Sequence, residues 1–423
     1  MLFRTCILNN NPIRETYGRY ALALLLAVNL LNYIDRQVLY AVFPLIKADL
    51  HLSDTALGFL GSAFMLCYML SAPLLGWLGD LMSRIKVASG GLVIWSFATA
   101  LSGFAGVYKT LFASRAVVGI GEASFSTVSP GLISDYFPKE RRGRVLSYFY
   151  LAIPVGSALG YLLGGILGQS FGWHSAFLIV SLPGLILSVP LYFLREPLRG
   201  GEEAPVLKYT GQTWRSYRLL FVNRSFVTNT LSMAAMTFSL GGLAQWVPTF
   251  LHRIHGLDVA RGNTLFGIIT VVTGVTGTLT GGWLGDLLQK KSSKGYLLVS
   301  GWGFLIGSAV SAYAIATPST TGCLAAIFLA EFFLFLNTGP LNTVIVNVTN
   351  PAVRTMAFAV NIFFIHALGD AISPTILGRL SDLWGLRKAL LVTPFAILLA
   401  AFFSFLCTRF IEADSSEKRA FQS

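Results

Sequence analysis

Six ionisable side chains interrupt long apolar runs in this sequence: Asp35, Arg36, Arg115, Glu122, Glu331 and Asp370. A charge at the centre of a bilayer costs about 2.5–3.5 kcal/mol on insertion scales, so such residues face a cavity or a partner. A buried carboxylate beside an arginine can do acid–base work. Burial favours its protonated form and the guanidinium favours its ionised form, so separating the pair promotes proton uptake. Arg115, Gly119, Glu122, Ser126 and Ser129 are spaced 4, 3, 4, 3 and share one helix face. Asn29, Asn32 and Arg36 form a similar stripe, with Asp35 on its flank. The two segments run antiparallel, and their depths allow two cross-helix pairs, Asp35–Arg115 and Arg36–Glu122. Glu122, nearest the middle, is the first candidate for a proton site and Asp35 the second. Arg36 and Arg115 are the candidates for an ion pair or an anionic head group. A static bridge between the two helices is the alternative reading. His366, Asp370 and Ser373 repeat the pattern with 4, 3 spacing, either as cavity polar groups with Asn32 and Ser126 or as a cluster that packs helices. Glu331 is the least constrained.

The elements that must position these residues are transmembrane helices. Of 423 residues, 54% are hydrophobic and 12% charged, against about 25% charged in soluble domains. A spanning helix needs about 20 mostly apolar residues. Twelve candidates lie near 19–43, 55–78, 86–107, 110–135, 144–168, 174–194, 225–250, 262–285, 295–316, 321–348, 355–379 and 386–410. The fourth and tenth are long enough to kink at Pro130 and Pro340. The expected architecture is all-α, with a six-helix half over 1–198, a cytoplasmic linker over 199–224 and a second six-helix half over 225–423. The "TWRSYRLLF" part of the linker has the spacing of an interfacial helix. Of 31 Lys and Arg, 22 fall on the side that carries both termini, which the positive-inside rule makes cytoplasmic. This bias accounts for most of the +12 charge, so no nucleic-acid partner is called for. The four cysteines show neither metal nor disulfide spacing.

The halves echo each other. "GWLGD" occurs at 76–80 and 282–286, each at the end of the second span of its half, each followed four positions after the Asp by a base, Arg84 or Lys290. With Lys86, the first copy resembles the signature loop of the major facilitator superfamily. Gly156, Gly160, Gly164 and Gly165 resemble its glycine-rich helix. "NYIDR", "GIGEASFSTVSPGLISDYF" and "FYLAIPVGSALGYLLGG" most resemble the Spinster family of lipid transporters within it. The resemblance implies two parallel six-helix repeats with a site between them, and a coupling role for the charged residues of the first and fourth spans. It implies a cytoplasmic gate at Gly76, Asp80, Arg84, Asp286 and Lys290. Asp80 would cap the eleventh helix, Arg84 would pair with nearby acids, and Asp286 would act toward the fifth helix. No phosphate loop, metal cluster or nucleophile–base signature is present, so neither an enzyme nor a cofactor is expected.

The expected function is proton-coupled, alternating-access transport of an amphiphile such as a lysophospholipid or sphingoid phosphate. The alternatives are a proton-coupled symporter of a small organic anion and a passive lipid scramblase. An amphiphile's head would lie near the first and fourth helices. Its tail would lie against Phe238, Trp246, Phe332, Phe333, Phe335, Phe363 and Phe364. The expected partners are that lipid or anion, protons and membrane lipids; a monomer in a bacterial inner membrane is expected.

Overall fold

A computed structural model of the chain describes residues 12–197, 220–349 and 354–414. Among the described residues, eleven helices are long and apolar enough to cross a membrane: α1 (Thr16–Ala41), α2 (Asp54–Leu81), α3 (Arg84–Gly103), α4 (Tyr108–Tyr136), α5 (Arg144–Phe171), α6 (Trp173–Tyr192), α8 (Val259–Gln289), α9 (Gly295–Ala316), α10 (Thr320–Val348), α11 (Met356–Trp384) and α12 (Leu386–Cys407). The twelfth, α7 (Arg224–His255), is equally long but more polar. The reason lies in its neighbours. Asn229 donates to the Leu341 carbonyl at 3.1 Å, Ser232 to Ala400 at 2.7 Å and Ser239 to Thr393 at 2.9 Å. Small polar side chains that reach carbonyls on adjacent helices hold a bundle together where no hydrophobic force can.

The expected kinks divide. The helix of α4 runs through Pro130 without interruption, whereas α10 breaks between Phe335 and a new helix that starts at Pro340. Pro at the first position of a helix is favoured because its missing N–H has no partner there. α11 contains a π-helical turn at His366–Asp370, with Gly369 outside helical geometry. The linker expected over 199–224, with its interfacial helix, lies largely outside the described residues.

The side that carries the termini is called the near side below, and the opposite one the far side. The halves interlock at the far side. α2 meets α11 so closely that a Cβ on Gly58 would fall 2.3 Å from the Pro374 carbonyl oxygen. α5 meets α8, where a Cβ on Gly165 would fall 2.8 Å from that of Asn263. Trp246 is buried in this seam, against Phe43 at 5.7 Å between ring centroids, and its indole donates to the Pro374 carbonyl at 3.2 Å.

Candidate functional site

The polar stripes of α1 and α4 face each other as their spacing predicts. Arg36 Nε donates to Glu122 Oε2 at 2.7 Å, and Glu122 is fully buried. The guanidinium carbon of Arg36 lies 5.0 Å from the ring centroids of Tyr33 and Phe64 and 4.9 Å from that of Tyr68. Tyr33 sits one turn back on α1, while Phe64 and Tyr68 are one turn apart on α2. Such a contact is worth about 0.5–2 kcal/mol, depending on desolvation. The cage therefore stabilises the cation independently of Glu122.

The second expected pair is not closed. Asp35 accepts from Thr99 Oγ1 of α3 at 3.3 Å, and no ion pair joins it to Arg115. Arg115 is 1% exposed, its guanidinium lies 5.7 Å from the Phe177 ring of α6, and its Nε and Nη1 have no hydrogen-bond partner among the described residues. Helical spacing fixes the face a residue occupies, but the rotation of α1 turns Asp35 toward α3. Asn32 is buried beside Glu122, and Ser126 is half-buried on α4. Two acids and two guanidiniums thus form one buried group, of which Arg36, 14% exposed, is the most accessible.

On α11 the ring Nδ1 of His366 and Asp370 Oδ1 are 2.8 Å apart across the π turn. Asp370 packs on Gly241 of α7, where a Cβ would fall 2.3 Å from its own. Trp246, expected as a tail wall, belongs to the far seam. Phe333 packs toward Gly307 of α9, where an added Cβ would lie 3.5 Å from its own.

At the near side, Arg84 finds the acids expected of it. It pairs with Asp135 at 2.7 Å and, through Nε, with Glu196 at 3.1 Å. Partial burial pushes the Glu196 carboxyl up, but hydrogen bonds from Ser83 and Arg84 outweigh it and hold the group below its usual range. The close approach in "GWLGD" is made by Gly79, where a Cβ would fall 2.7 Å from Val128, whereas Gly76 has room. Asp286 accepts from Tyr296 of its own half at 2.7 Å, and the backbone of Lys290 caps α8 on the Asp286 carbonyl. Asp80 is exposed at the end of α2. Residues 350–353, which precede α11, lie outside the described residues.

One cluster escaped the sequence reading. Asp54, the first residue of α2, accepts from Arg253 Nη1 of α7 through both oxygens at 2.9 and 2.8 Å, from Lys47 at 2.6 Å and from Ser381 of α11 at 2.5 Å. Asp382 of α11 in turn accepts the backbone N–H groups of Asp54 and Thr55, each at 2.8 Å. A carboxylate on these orphan amides caps a helix across the two halves. In sequence, Ser53 and Asp54 look like an ordinary helix start, and Ser53 does fill that role by accepting from the Ala56 N–H.

The family model of the Major Facilitator Superfamily matches residues 25–374. The Sphingosine-1-phosphate transporter SPNS2 of Danio rerio is 35% identical over 427 residues, covering 93% of this chain and 84% of that one. Protein spinster homolog 1 of Homo sapiens is 38% identical over 392 residues, covering 86% and 74%. Among solved structures, a bacterial homolog to the human lysosomal transporter Spinster, inward-facing and unoccupied, aligns with a TM-score of 0.87. It is 24% identical and covers 96% of this chain and 99% of that one. A D-xylose-proton symporter aligns with a TM-score of 0.74 at 17% identity over 92% and 97%; both structural matches speak for the fold. Twelve helices in two halves, a superfamily match over most of the chain and this level of identity place the protein: it is an integral, multi-pass membrane transporter that belongs to the Spinster family of the major facilitator superfamily.

Proposed function

We propose that the protein is a proton-coupled, alternating-access transporter of an amphiphilic lipid with an anionic head, such as a lysophospholipid or a sphingoid phosphate. The observation that carries the reading is the Arg36–Glu122 bridge: a buried carboxylate whose ion-pair partner among the described residues is also the most accessible, ring-caged guanidinium of the group. An anionic head that binds Arg36 competes with Glu122 for it. Glu122, left without its bonded cation at zero exposure, is then driven to take a proton. Lipid binding and protonation are coupled through one hydrogen bond.

With the near side cytoplasmic, as the distribution of Lys and Arg favours, the far seam closes the outside. Alternation requires that seam to open, and the Asp54 cluster is the charged contact to be broken. The tail would lie on α7 and α11 against Phe238, Phe363 and Phe364; Phe363 is 48% exposed. At the near side, Asp80, Arg84 and Asp286 would form the gate of the opposite state. The relatives named as sphingosine-1-phosphate transporters support an amphiphile over a small anion. The decisive comparison is binding of lysophospholipid, sphingoid phosphate and small organic anions to purified protein, wild type against Arg36→Ala. Lipid binding that depends on Arg36 supports the reading; binding of small anions alone overturns it.

A further inference from the structure

Glu331 lies outside this machinery, in the middle of α10. It is 8% exposed, and among the described residues no basic side chain pairs with it. Its carboxyl oxygens contact two hydroxyls of α8: Oε1 with Thr270 Oγ1 at 3.3 Å and Oε2 with Thr273 Oγ1 at 3.0 Å. The hydrogen count bears on the charge. A threonine hydroxyl has one hydrogen and two acceptor lone pairs, and an ionised carboxylate only accepts. The Thr273 hydroxyl is already 2.7 Å from the Ile269 carbonyl, the usual back-bond of threonine in an apolar helix. Thr273 has one hydrogen for two acceptors, the Ile269 carbonyl and Glu331 Oε2, so an ionised Glu331 leaves one of them unserved. With Glu331 protonated both contacts are satisfied: Glu331 O–H to Thr273 Oγ1, and Thr273 O–H to the Ile269 carbonyl, while Thr270 donates to the other carboxyl oxygen. Every hydrogen has one acceptor.

The surroundings agree. From α5, Tyr161 faces the group, and its hydroxyl donates to the Ala244 carbonyl at 2.6 Å, so its own proton is committed. α9 offers Ser311, and α7 and α12 offer Leu243, Phe250 and Leu390 around a cavity of about 30 Å³ beside the carboxyl. That volume holds one water, and Ser311 and Glu331 are its polar walls. The face of α8 behind Thr270 is the inter-half seam, because a Cβ on Gly267 would fall 2.9 Å from the Ala158 carbonyl oxygen of α5.

We propose that Glu331 is a second proton-binding site, in the C-terminal half. It carries a proton in this conformation and exchanges it when α8 moves against α5. This extends the proton-coupled reading above, and its test does not depend on transport. The experiment is difference infrared spectroscopy of purified protein in lipid between acidic and alkaline buffer, on wild type, Glu331→Gln, Thr273→Val and Glu122→Gln. An amide at 331 can donate to Thr273 and accept from Thr270, so Glu331→Gln preserves both contacts. The expected result is a protonated-carboxyl band in wild type that Glu331→Gln loses, Thr273→Val shifts in frequency and Glu122→Gln retains. If the Glu331→Gln and Thr273→Val difference spectra superimpose on wild type, Glu331 does not exchange a proton and the proposal fails, whatever Glu122 does.

Discussion

Asp54→Asn should open the far side. The substitution keeps the shape of the side chain but removes the charge that holds Arg253 and Lys47. Asp54 is 4% exposed, whereas Arg253 and Lys47 are 23% and 35% exposed. Breaking a fully buried pair costs about 3–5 kcal/mol; a solvent-exposed pair contributes about 0.2–1 kcal/mol. With one partner buried and two half-wet, the loss falls between these limits, about 1–3 kcal/mol. Arg253 and Ser381 belong to the other half, so their contacts exist only with the far side closed, whereas Lys47 belongs to the half of Asp54 itself; the cross-half share of the loss acts on the conformational equilibrium, a shift of at most about 150-fold toward the opened state. Spin labels at Val107 and Trp384, both exposed at the far ends of opposite halves, report it in a background without native cysteines. Pulsed electron resonance should show a longer distance population that grows in the variant. A distance distribution unchanged from wild type would refute the claim that Asp54 latches the halves.

Gly58→Ala should act in the same direction by steric means. Its new methyl meets the Pro374 carbonyl at 2.3 Å, overpacking that costs about 1–3 kcal/mol, and the same label pair reads the separation. Arg36→Lys should lose most lipid binding although the charge is kept, because an ammonium cannot reproduce the planar fork over three rings; calorimetric titration with a lysophospholipid checks it. Glu196→Gln should lower thermal stability by at most about 1 kcal/mol, the scale of an exposed pair. Because the Glu196 carboxyl sits below its usual range when folded, its contribution is present above the unfolded carboxylate range and is lost as pH falls through the folded value. The difference in melting temperature between wild type and variant should therefore shrink in acid and stay constant from neutral pH upward.

What the sequence disclosed followed from periodicity and cost. Charges that are expensive in hydrocarbon mark themselves, and 3.6-residue spacing assigns them to faces, so the Arg36–Glu122 bridge could be read directly. The same spacing says nothing about the rotation of one helix against another, which is why Asp35, on a face that suits Arg115, instead meets Thr99. The aromatic cage had a signal, Phe64 and Tyr68 one turn apart, but aromatic pairs at that spacing are common in any bundle. The Asp54 cluster had almost none. Asp382 is 328 residues away in sequence, and an aspartate at a helix start looks like a local cap. Trp246 shows the same limit, since its apolar bulk suits a cavity wall or a seam equally, and only the packing of α7 on α2 and α11 selects the seam. The "GWLGD" echo located the near ends of α2 and α8, but Gly76 and Gly79 are indistinguishable until the facing helix is in place.

Coupling through the Arg36–Glu122 bridge is tested most directly by proton movement on lipid addition. Wild-type protein and Glu122→Gln are reconstituted into vesicles that hold a pH indicator, and a lysophospholipid or sphingoid phosphate is added without a proton gradient. A pH change in the lumen should track lipid movement in wild type and be absent in Glu122→Gln, with the variant folded and still binding lipid. Lipid movement in wild type without any proton flux, or flux that Glu122→Gln leaves unchanged, would contradict that coupling.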